Sequence, residues 1–259
     1  MESKDGTKVP LSVLAPKGTA WNGSAPLILY GYGGYGLSSE PHFDPFLRAW
    51  FDRGGAFVVA NVRGGGEYGE PWHRAGMLEK KQNTLDDFAA CAEYLVREKY
   101  TDPAHLGVWG ISNGGITAGG ILTQHPDLMR AAVLQVGVLD VVRSENEPNG
   151  AFNVTEYGTV KDPAQYRAIR AYSPYQNVRE GTGYPAVLLL AGENDHRVAS
   201  WHAKKMTARL QAATTSDHPI LLRTSATAGH GMGTSFDERL QLEADVFSFF
   251  ADQLGAGER

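Results

Sequence analysis

The sequence has few of the features that suit a disulfide-stabilised fold, a polyanion-binding protein or a membrane protein. Its 259 residues include one cysteine, Cys91, which excludes an internal disulfide or a multi-cysteine metal site. Acidic residues outnumber basic ones, giving a net charge of −5, so no nucleic-acid partner is expected. No apolar run approaches the roughly 18 residues of a membrane helix. We expect no membrane partner and, because the largely polar N-terminus Met1–Gly6 lacks the apolar core of a signal peptide, a cytoplasmic location.

The composition is that of an ordinary folded domain. Hydrophobic residues make up 42% of the chain and charged residues 20%, which is typical of globular proteins. No internal repeat or Gly/Ser-rich linker divides the sequence. We therefore predict a single domain over residues 1–259, and nothing in the sequence indicates its oligomeric state.

Short apolar runs alternate with longer segments of helical periodicity. The predicted strands are Pro26–Tyr30, Ala56–Ala60, Leu106–Trp109, Ala131–Val136, Ala186–Leu190 and Ile220–Arg223. The predicted helices are Leu85–Tyr100, a segment after Asn113, Ser200–Ala213 and Phe236–Leu254. Strands that alternate with helices pair in parallel through right-handed crossovers, so helices cover both faces of the sheet. The pattern predicts an α/β fold, with an antiparallel edge strand within Lys8–Ala15 and a partly helical cap over residues 139–184.

A short glycine-flanked motif provides a candidate nucleophile. Ser112 lies in Gly110–Gly114 (GISNG), directly after a predicted strand and before a predicted helix. This context is typical of the nucleophile elbow, in which flanking glycines allow a sharp turn that exposes the serine hydroxyl. The pentapeptide alone is a weak signal in a chain with 31 glycines, because the glycines could form an ordinary turn.

Two later strand ends supply candidate partners for this serine. Asp195 follows the strand Ala186–Leu190, at the carboxyl end where parallel sheets bind ligands. Glu193 is an alternative carboxylate, and a helix-capping role for Asp195 is an alternative function. His230 lies in a glycine-rich loop before the last predicted helix. The order serine, aspartate, histidine is that of α/β-hydrolases, which predicts a triad of Ser112, Asp195 and His230.

A second glycine-rich loop, Tyr30–Gly36 (YGYGGYG), follows an early strand. This is where α/β-hydrolases place half of the oxyanion hole, and the backbone N–H of Asn113 is the other expected donor. A phosphate-binding loop is an alternative, but the Gly-Lys-Ser/Thr ending of a P-loop is missing. For the polar loop that contains Arg63 and Glu67, spacing favours a structural role, in which the two side chains pair, over a catalytic role, which is the alternative.

Five blocks together resemble the catalytic domain of the prolyl oligopeptidase family. They are Gly31–Gly34, Asn61–Gly69, Ser112–Gly115, Asp195–Val198 and Ala228–Gly231. The resemblance covers nearly the whole chain and implies an α/β-hydrolase fold with a serine peptidase activity. It also implies that Tyr32 donates its hydroxyl to the oxyanion hole and that Arg197 holds a substrate carbonyl. The residues implied to line the pocket before the scissile bond are Tyr35, Val138, Tyr157 and Val198.

Two features depart from the family pattern. Prolyl-specific members have a tryptophan that stacks on the substrate proline, and the matching position here is Asn153. Strict proline specificity is therefore not expected unless other aromatic residues supply the slot. Family members also usually carry an N-terminal β-propeller, and this sequence has no run of short strands to build one. The chain is thus either an excised catalytic domain or an enzyme without a gate.

The leading functional hypothesis is a serine peptidase that acts through an acyl-enzyme, without metal or cofactor. The expected partner is a short peptide or a small acyl substrate. A carboxylic ester hydrolase with the same triad is the main alternative, and a non-catalytic binding domain is a third. The triad argues against the last of these.

Overall fold

The computed structural model describes residues 1–40, 43–231 and 234–257. They form an α/β structure around one seven-stranded sheet. The strands are β1 (Leu11–Leu14), β2 (Leu27–Gly31), β3 (Ala56–Ala60), β4 (Leu106–Ile111), β5 (Ala131–Gln135), β6 (Ala186–Gly192) and β7 (Ile220–Ser225). All six predicted strands are present as β2 to β7, and each observed strand end lies within two residues of the predicted one.

The sheet has the order β1-β3-β2-β4-β5-β6-β7. Only β1 is antiparallel, pairing Leu11 with Ala60, and all other neighbours are parallel. The predicted antiparallel edge strand is therefore confirmed. Chain order reverses between β2 and β4, which pair directly, and ligands of such sheets bind outside the strand ends at this reversal.

Helices cover both faces of the sheet. They are α1 (Leu47–Phe51), α2 (Glu70–Arg74), α3 (Gln82–Arg97), α4 (Gly114–Gln124), α5 (Gly150–Tyr157), α6 (Pro163–Tyr172), α7 (Trp201–Ala213) and α8 (Phe236–Leu254). Successive strand residues point to opposite faces, so Leu27 and Leu29 pack in one core cluster with α3, α4 and α7. Ile28 packs in the other cluster, with α1 and α8.

Helix α3 starts and ends three residues earlier than the periodicity predicted. The N–H of Lys99 bonds to the Val96 carbonyl and the N–H of Tyr100 to the Leu95 carbonyl. Lys99 has a φ of 63°, the left-handed conformation that closes a Schellman motif. The sequence lacks the glycine that usually marks this position, so the apolar pattern alone placed the end too late.

The segment 139–184 joins β5 to β6. It contains α5, α6 and two 3₁₀ turns, Val141–Asn146 and Tyr175–Asn177, and it packs over the carboxyl ends of the strands through a cluster that includes Ile116 of α4. Among the described residues, no helix is both long and apolar enough to cross a membrane.

Candidate active site

The turn after β4 holds Ser112 in an unusual backbone conformation. Its φ is 57°, in the left-handed region that non-glycine residues rarely adopt. A Cβ on Gly110 would overlap the carbonyl oxygen of Gly114, and a Cβ on Gly114 would lie 2.7 Å from the Gly31 oxygen. The two glycines are therefore required by this turn, which directs the Ser112 hydroxyl out from the strand end.

His230 bridges Ser112 and Asp195. Its Nε2 lies 2.8 Å from Ser112 Oγ, and its Nδ1 lies 2.6 Å from Asp195 Oδ2. Ser112 follows β4, Asp195 follows β6 and His230 follows β7. Strands β6 and β7 are neighbours in the sheet, and β5 lies between β4 and β6. The distances suit a serine activated by a histidine base that a carboxylate orients.

Asp195 is held by backbone donors as well as by the histidine. Its Oδ1 accepts hydrogen bonds from the N–H groups of Arg197 and Val198, at 2.8 and 2.9 Å. Burial disfavours the charged carboxylate, but the His230 hydrogen bond and these N–H groups outweigh it and lower the pKa of Asp195. Glu193, the alternative carboxylate, is exposed and pairs with Lys204.

Both residues expected to form the oxyanion hole, Tyr32 and Asn113, adjoin Ser112. The Asn113 N–H has no hydrogen-bond partner in the described part of the chain. Burial raises the pKa of Tyr32, while the Ser112 side chain and the charge of Arg197 act in the opposite direction. The hydroxyl thus stays protonated, interacts with Ser112 and can donate a hydrogen bond. Arg197 itself is exposed, and its positive charge opposes the rise in the pKa of both Tyr32 and Tyr35.

The other residues expected in the substrate pocket are in one apolar cluster. It contains Val138, Tyr157 and Val198, with Tyr35 packed against it. The rings of Tyr35 and Tyr157 meet edge to face, with centroids 5.8 Å apart.

Asn153, the residue at the position of the family tryptophan and a further expected pocket residue, is buried beside Tyr35. It is only 7% exposed, its Oδ1 accepts a hydrogen bond from the Tyr35 hydroxyl at 3.0 Å, and its Nδ2 points to the Ser144 carbonyl. Its neighbour on α5, Phe152, faces outward. Phe152 is 61% exposed and stacks on Tyr35 at 5.1 Å, with ring planes 6° apart.

The predicted pair of Arg63 and Glu67 is absent, and each residue has other partners. Arg63 makes two side-chain hydrogen bonds with the fully buried Asp87 and one with Asp5. Glu67 accepts hydrogen bonds from the Asn61 side chain and the Ser39 N–H. Both side chains tie loops together, which agrees with the structural role but not with the predicted pairing.

Sequence reasoning missed three residues near the site: Phe152, Lys81 and Glu156. Lys81 and Glu156 form a buried ion pair at 2.7 Å beneath the Tyr30–Gly36 loop. A lysine between polar neighbours and a glutamate on a short helix carry no local signal of burial. Phe152 was detectable only as an aromatic residue next to the position that departs from the family pattern.

A mostly parallel sheet between helices, with serine, aspartate and histidine at its strand ends in that order, defines the α/β-hydrolase class. Comparison with known proteins identifies the branch of this class. The model of the prolyl oligopeptidase family matches residues 41–257, and the chain belongs to that family. It is 39% identical over 254 residues to the prolyl endopeptidase of Elizabethkingia miricola. This alignment covers 98% of this chain and 36% of that protein.

Solved structures agree with this assignment. A prolyl endopeptidase structure superposes with a TM-score of 0.95 at 44% identity, over 98% of this chain and 38% of the other. Oligopeptidase B from Leishmania major gives a TM-score of 0.92 at 34% identity, over 99% of this chain and 36% of the other. Prolyl oligopeptidase B from Galerina marginata, bound to a 35mer hydrolysis and macrocyclization substrate, gives a TM-score of 0.94 at 38% identity. This superposition covers 98% of this chain and 36% of the other. The chain thus spans little more than a third of the length of these relatives.

Proposed function

We propose that the chain is the catalytic domain of a serine peptidase that cleaves short peptides through an acyl-enzyme. The observation that carries the proposal is the continuous contact from Ser112 through His230 to Asp195. Ser112 Oγ attacks the scissile carbonyl while His230 Nε2 takes its proton, and His230 then returns that proton to the leaving amine. Water hydrolyses the resulting ester on Ser112 with His230 again acting as base.

The proposed oxyanion hole consists of the Tyr32 hydroxyl and the Asn113 N–H. The Tyr32 hydroxyl interacts with the Ser112 side chain, and the Asn113 N–H has no hydrogen-bond partner among the described residues. Removal of one oxyanion donor typically lowers kcat by about 10²–10³. Arg197 is proposed to bind a carbonyl of the substrate, supported by its exposure and by its charge, which acts on Tyr32 and Tyr35.

Relatives support the choice of these three triad residues. Prolyl oligopeptidase B of Galerina marginata was solved with bound substrate as serine, aspartate and histidine variants, each with alanine at one position. Those three residues follow one another in the same order as Ser112, Asp195 and His230.

The proposed pocket for the residue before the scissile bond favours a small apolar side chain such as proline. Its walls are Tyr35, Tyr157, Val138 and Val198, and the exposed ring of Phe152 extends the aromatic surface. Because Glu156, the carboxylate next to Tyr157, is already bonded to Lys81 and His73, it is not free to pair with a basic substrate residue. An apolar pocket discriminates by shape and by desolvation.

Matched amide and ester substrates test the peptidase function. We expect hydrolysis of peptide amides with proline or alanine before the cut, at a kcat/KM well above that for arginine. Ser112→Ala should abolish it, whereas Ser200→Ala, which alters a hydroxyl bonded to Glu193, should not. Strong ester turnover with no cleavage of any peptide would instead establish the alternative, a carboxylic ester hydrolase.

The proposal includes a single catalytic domain and a cytoplasmic location. The lone, buried thiol of Cys91 supports that location, since secreted proteins commonly carry paired cysteines. Fractionation of the source cells tests it, and recovery of the protein outside the cytoplasm would contradict it.

A further inference from the structure

Lys81 is a fully buried cation close to the candidate active site. Its side chain is 0% exposed, and its Nζ donates hydrogen bonds to the Gly33 carbonyl at 2.8 Å and to Glu156 Oε1 at 2.7 Å. Burial lowers the pKa of this lysine, while the charge and hydrogen bond of Glu156 oppose that shift. A buried ion pair of this kind often adds little stability compared with apolar side chains of similar size.

The two partners of Lys81 are next to residues of the proposed machinery. Gly33 directly follows Tyr32, and Glu156 directly precedes Tyr157. The ammonium group therefore joins the loop that carries Tyr32 to the helix that carries Tyr157.

These contacts close into a ring at Asn113. The Tyr157 hydroxyl donates to Asn113 Oδ1 at 3.0 Å, and Asn113 Nδ2 donates to the Tyr32 carbonyl at 2.7 Å. The ring thus runs from Tyr32 through Gly33, Lys81, Glu156, Tyr157 and Asn113 back to Tyr32. Both proposed oxyanion donors, the Tyr32 hydroxyl and the Asn113 N–H, belong to residues of this ring.

The Lys81 side of the ring is tightly fixed. A Cβ on Gly33 would collide with the Thr84 and Val62 side chains, so the loop is pressed against α3 and the Arg63 loop. Glu156 Oε2 lies 2.7 Å from His73 Nε2, so both carboxylate oxygens are fixed. His73 is the outer end of this arrangement, with its side chain 16% exposed.

From this geometry we propose that Lys81 is a positioning residue for the oxyanion hole, acting through Gly33 and Glu156. The role rests on the proposed serine peptidase function. Without the ammonium tie, Tyr32 and Asn113 can shift relative to Ser112, and a misplacement of about 1 Å can lower the rate by about 100-fold. Because the hole acts on the transition state, the loss should affect kcat and not KM.

The test compares Lys81→Met with Lys205→Met in the 259-residue chain. Lys205, whose side chain is 27% exposed, also pairs with a fully buried carboxylate, that of Asp140. It lies outside the ring, so it controls for leaving a buried carboxylate without its lysine. For Lys81→Met we expect kcat on a peptide amide to fall by about 10–100-fold, with KM within about twofold. Affinity for a peptide boronate, which mimics the tetrahedral intermediate, should fall by the same factor. Lys205→Met should retain both.

Two further variants keep the proposal testable if Lys81→Met does not fold. Lys81→Met/Glu156→Leu replaces the buried pair by apolar side chains, which preserves folding in many proteins, and it should show the same loss of kcat. His73→Ala, at the partly exposed end, should lower kcat by about two- to fivefold, since Glu156 keeps Lys81 as a partner.

Kinetics that stay within about twofold of the parent in the folded Lys81 variants would overturn the positioning role, as would a change confined to KM. The parent chain separates this failure from failure of the proposed function. If the parent cleaves no peptide and a fluorophosphonate does not label Ser112, the peptidase function itself is wrong. If the parent is active and the Lys81 variants match it, only the positioning role is wrong.

Discussion

The strand ends that carry the triad and the segment 139–184 both face the candidate site, but they are held in different ways. Ser112 is fixed by the backbone: its N–H bonds to the Gln135 carbonyl and its own carbonyl accepts from the Val138 N–H, both at 3.0 Å. On the segment, Asn153 and Tyr157 lie on α5, and their side chains are held by side-chain hydrogen bonds: Asn153 bonds to Tyr35 and to the Ser144 carbonyl, and Tyr157 bonds to Asn113. Backbone hydrogen bonds at the sheet thus position the proposed nucleophile, whereas side-chain contacts position the proposed pocket residues.

This difference predicts how single changes will act. A substitution at a strand end should remove a chemical group and leave its surroundings intact, with a large loss of rate. A substitution in the segment should loosen several neighbours, with a smaller effect divided between binding and stability.

Asp195→Asn should give the largest loss, because an amide cannot keep His230 in the tautomer that accepts the Ser112 proton. We expect kcat to fall by about 10³–10⁴, as for triads of this type, with little change in thermal stability. Steady-state kinetics on a peptide amide checks this. Glu193→Gln is the matched control; an equal loss there would mean that the wrong carboxylate has been assigned.

Tyr32→Phe should give the next largest loss of kcat, since it removes one of the two proposed oxyanion donors and keeps the ring. The expected fall in kcat is about 10²–10³, with KM nearly unchanged. Tyr30→Phe, on the same loop, controls for the loss of a hydroxyl. A Tyr32→Phe enzyme with full kcat would show that the Asn113 N–H alone stabilises the oxyanion.

Asn153→Ala tests the segment. Tyr35 has a φ of 57°, a strained conformation for a bulky residue, and Asn153 holds its hydroxyl. Loss of that bond should raise KM by about three- to tenfold and lower the free energy of unfolding by about 1 kcal/mol. Thr155→Ala, an exposed change on the same helix, is the control. A change in kcat alone would contradict the assignment of Tyr35 to the pocket.

The two regions also differ in how far the sequence predicted them. Strands β2 to β7 were recognisable because each contains a short apolar run. Once a strand is predicted, the sequence also shows which residues come directly after its carboxyl end. Because these strands are parallel, the residues after them, including Ser112, Asp195 and His230, are predicted to lie at the same end of the sheet. The inward turn of Asn153 and the partners of Arg63 depend on contacts between residues far apart in sequence, which no local pattern records.

Asp5→Asn should give the smallest effect. The hydrogen bond from Arg63 lowers the pKa of Asp5 to about 2. A carboxylate with a depressed pKa stabilises the fold above its unfolded pKa of about 3.9, and that contribution is lost as the pH falls towards 2. Because Asp5 is 44% exposed, we expect a loss of about 0.5 kcal/mol at pH 7.

Urea unfolding of the Asp5→Asn variant and the parent between pH 7 and pH 2 checks this. The difference in free energy of unfolding should shrink below about pH 4, and kcat at pH 7 should be unchanged. A difference that persists at pH 2, or a change in kcat at pH 7, would contradict a purely structural role for the Arg63 cluster.

The proposed role of Ser112 as the nucleophile of a peptidase is tested most directly by titration with a fluorophosphonate, followed by peptide mass spectrometry and an assay of peptide hydrolysis. We predict that activity falls in proportion to the adduct and reaches zero at one adduct per chain, located on Ser112. His230→Ala should greatly slow this labelling. Peptide hydrolysis that continues after complete modification of Ser112, or an inactivating adduct on another serine, would contradict the role of Ser112 as nucleophile.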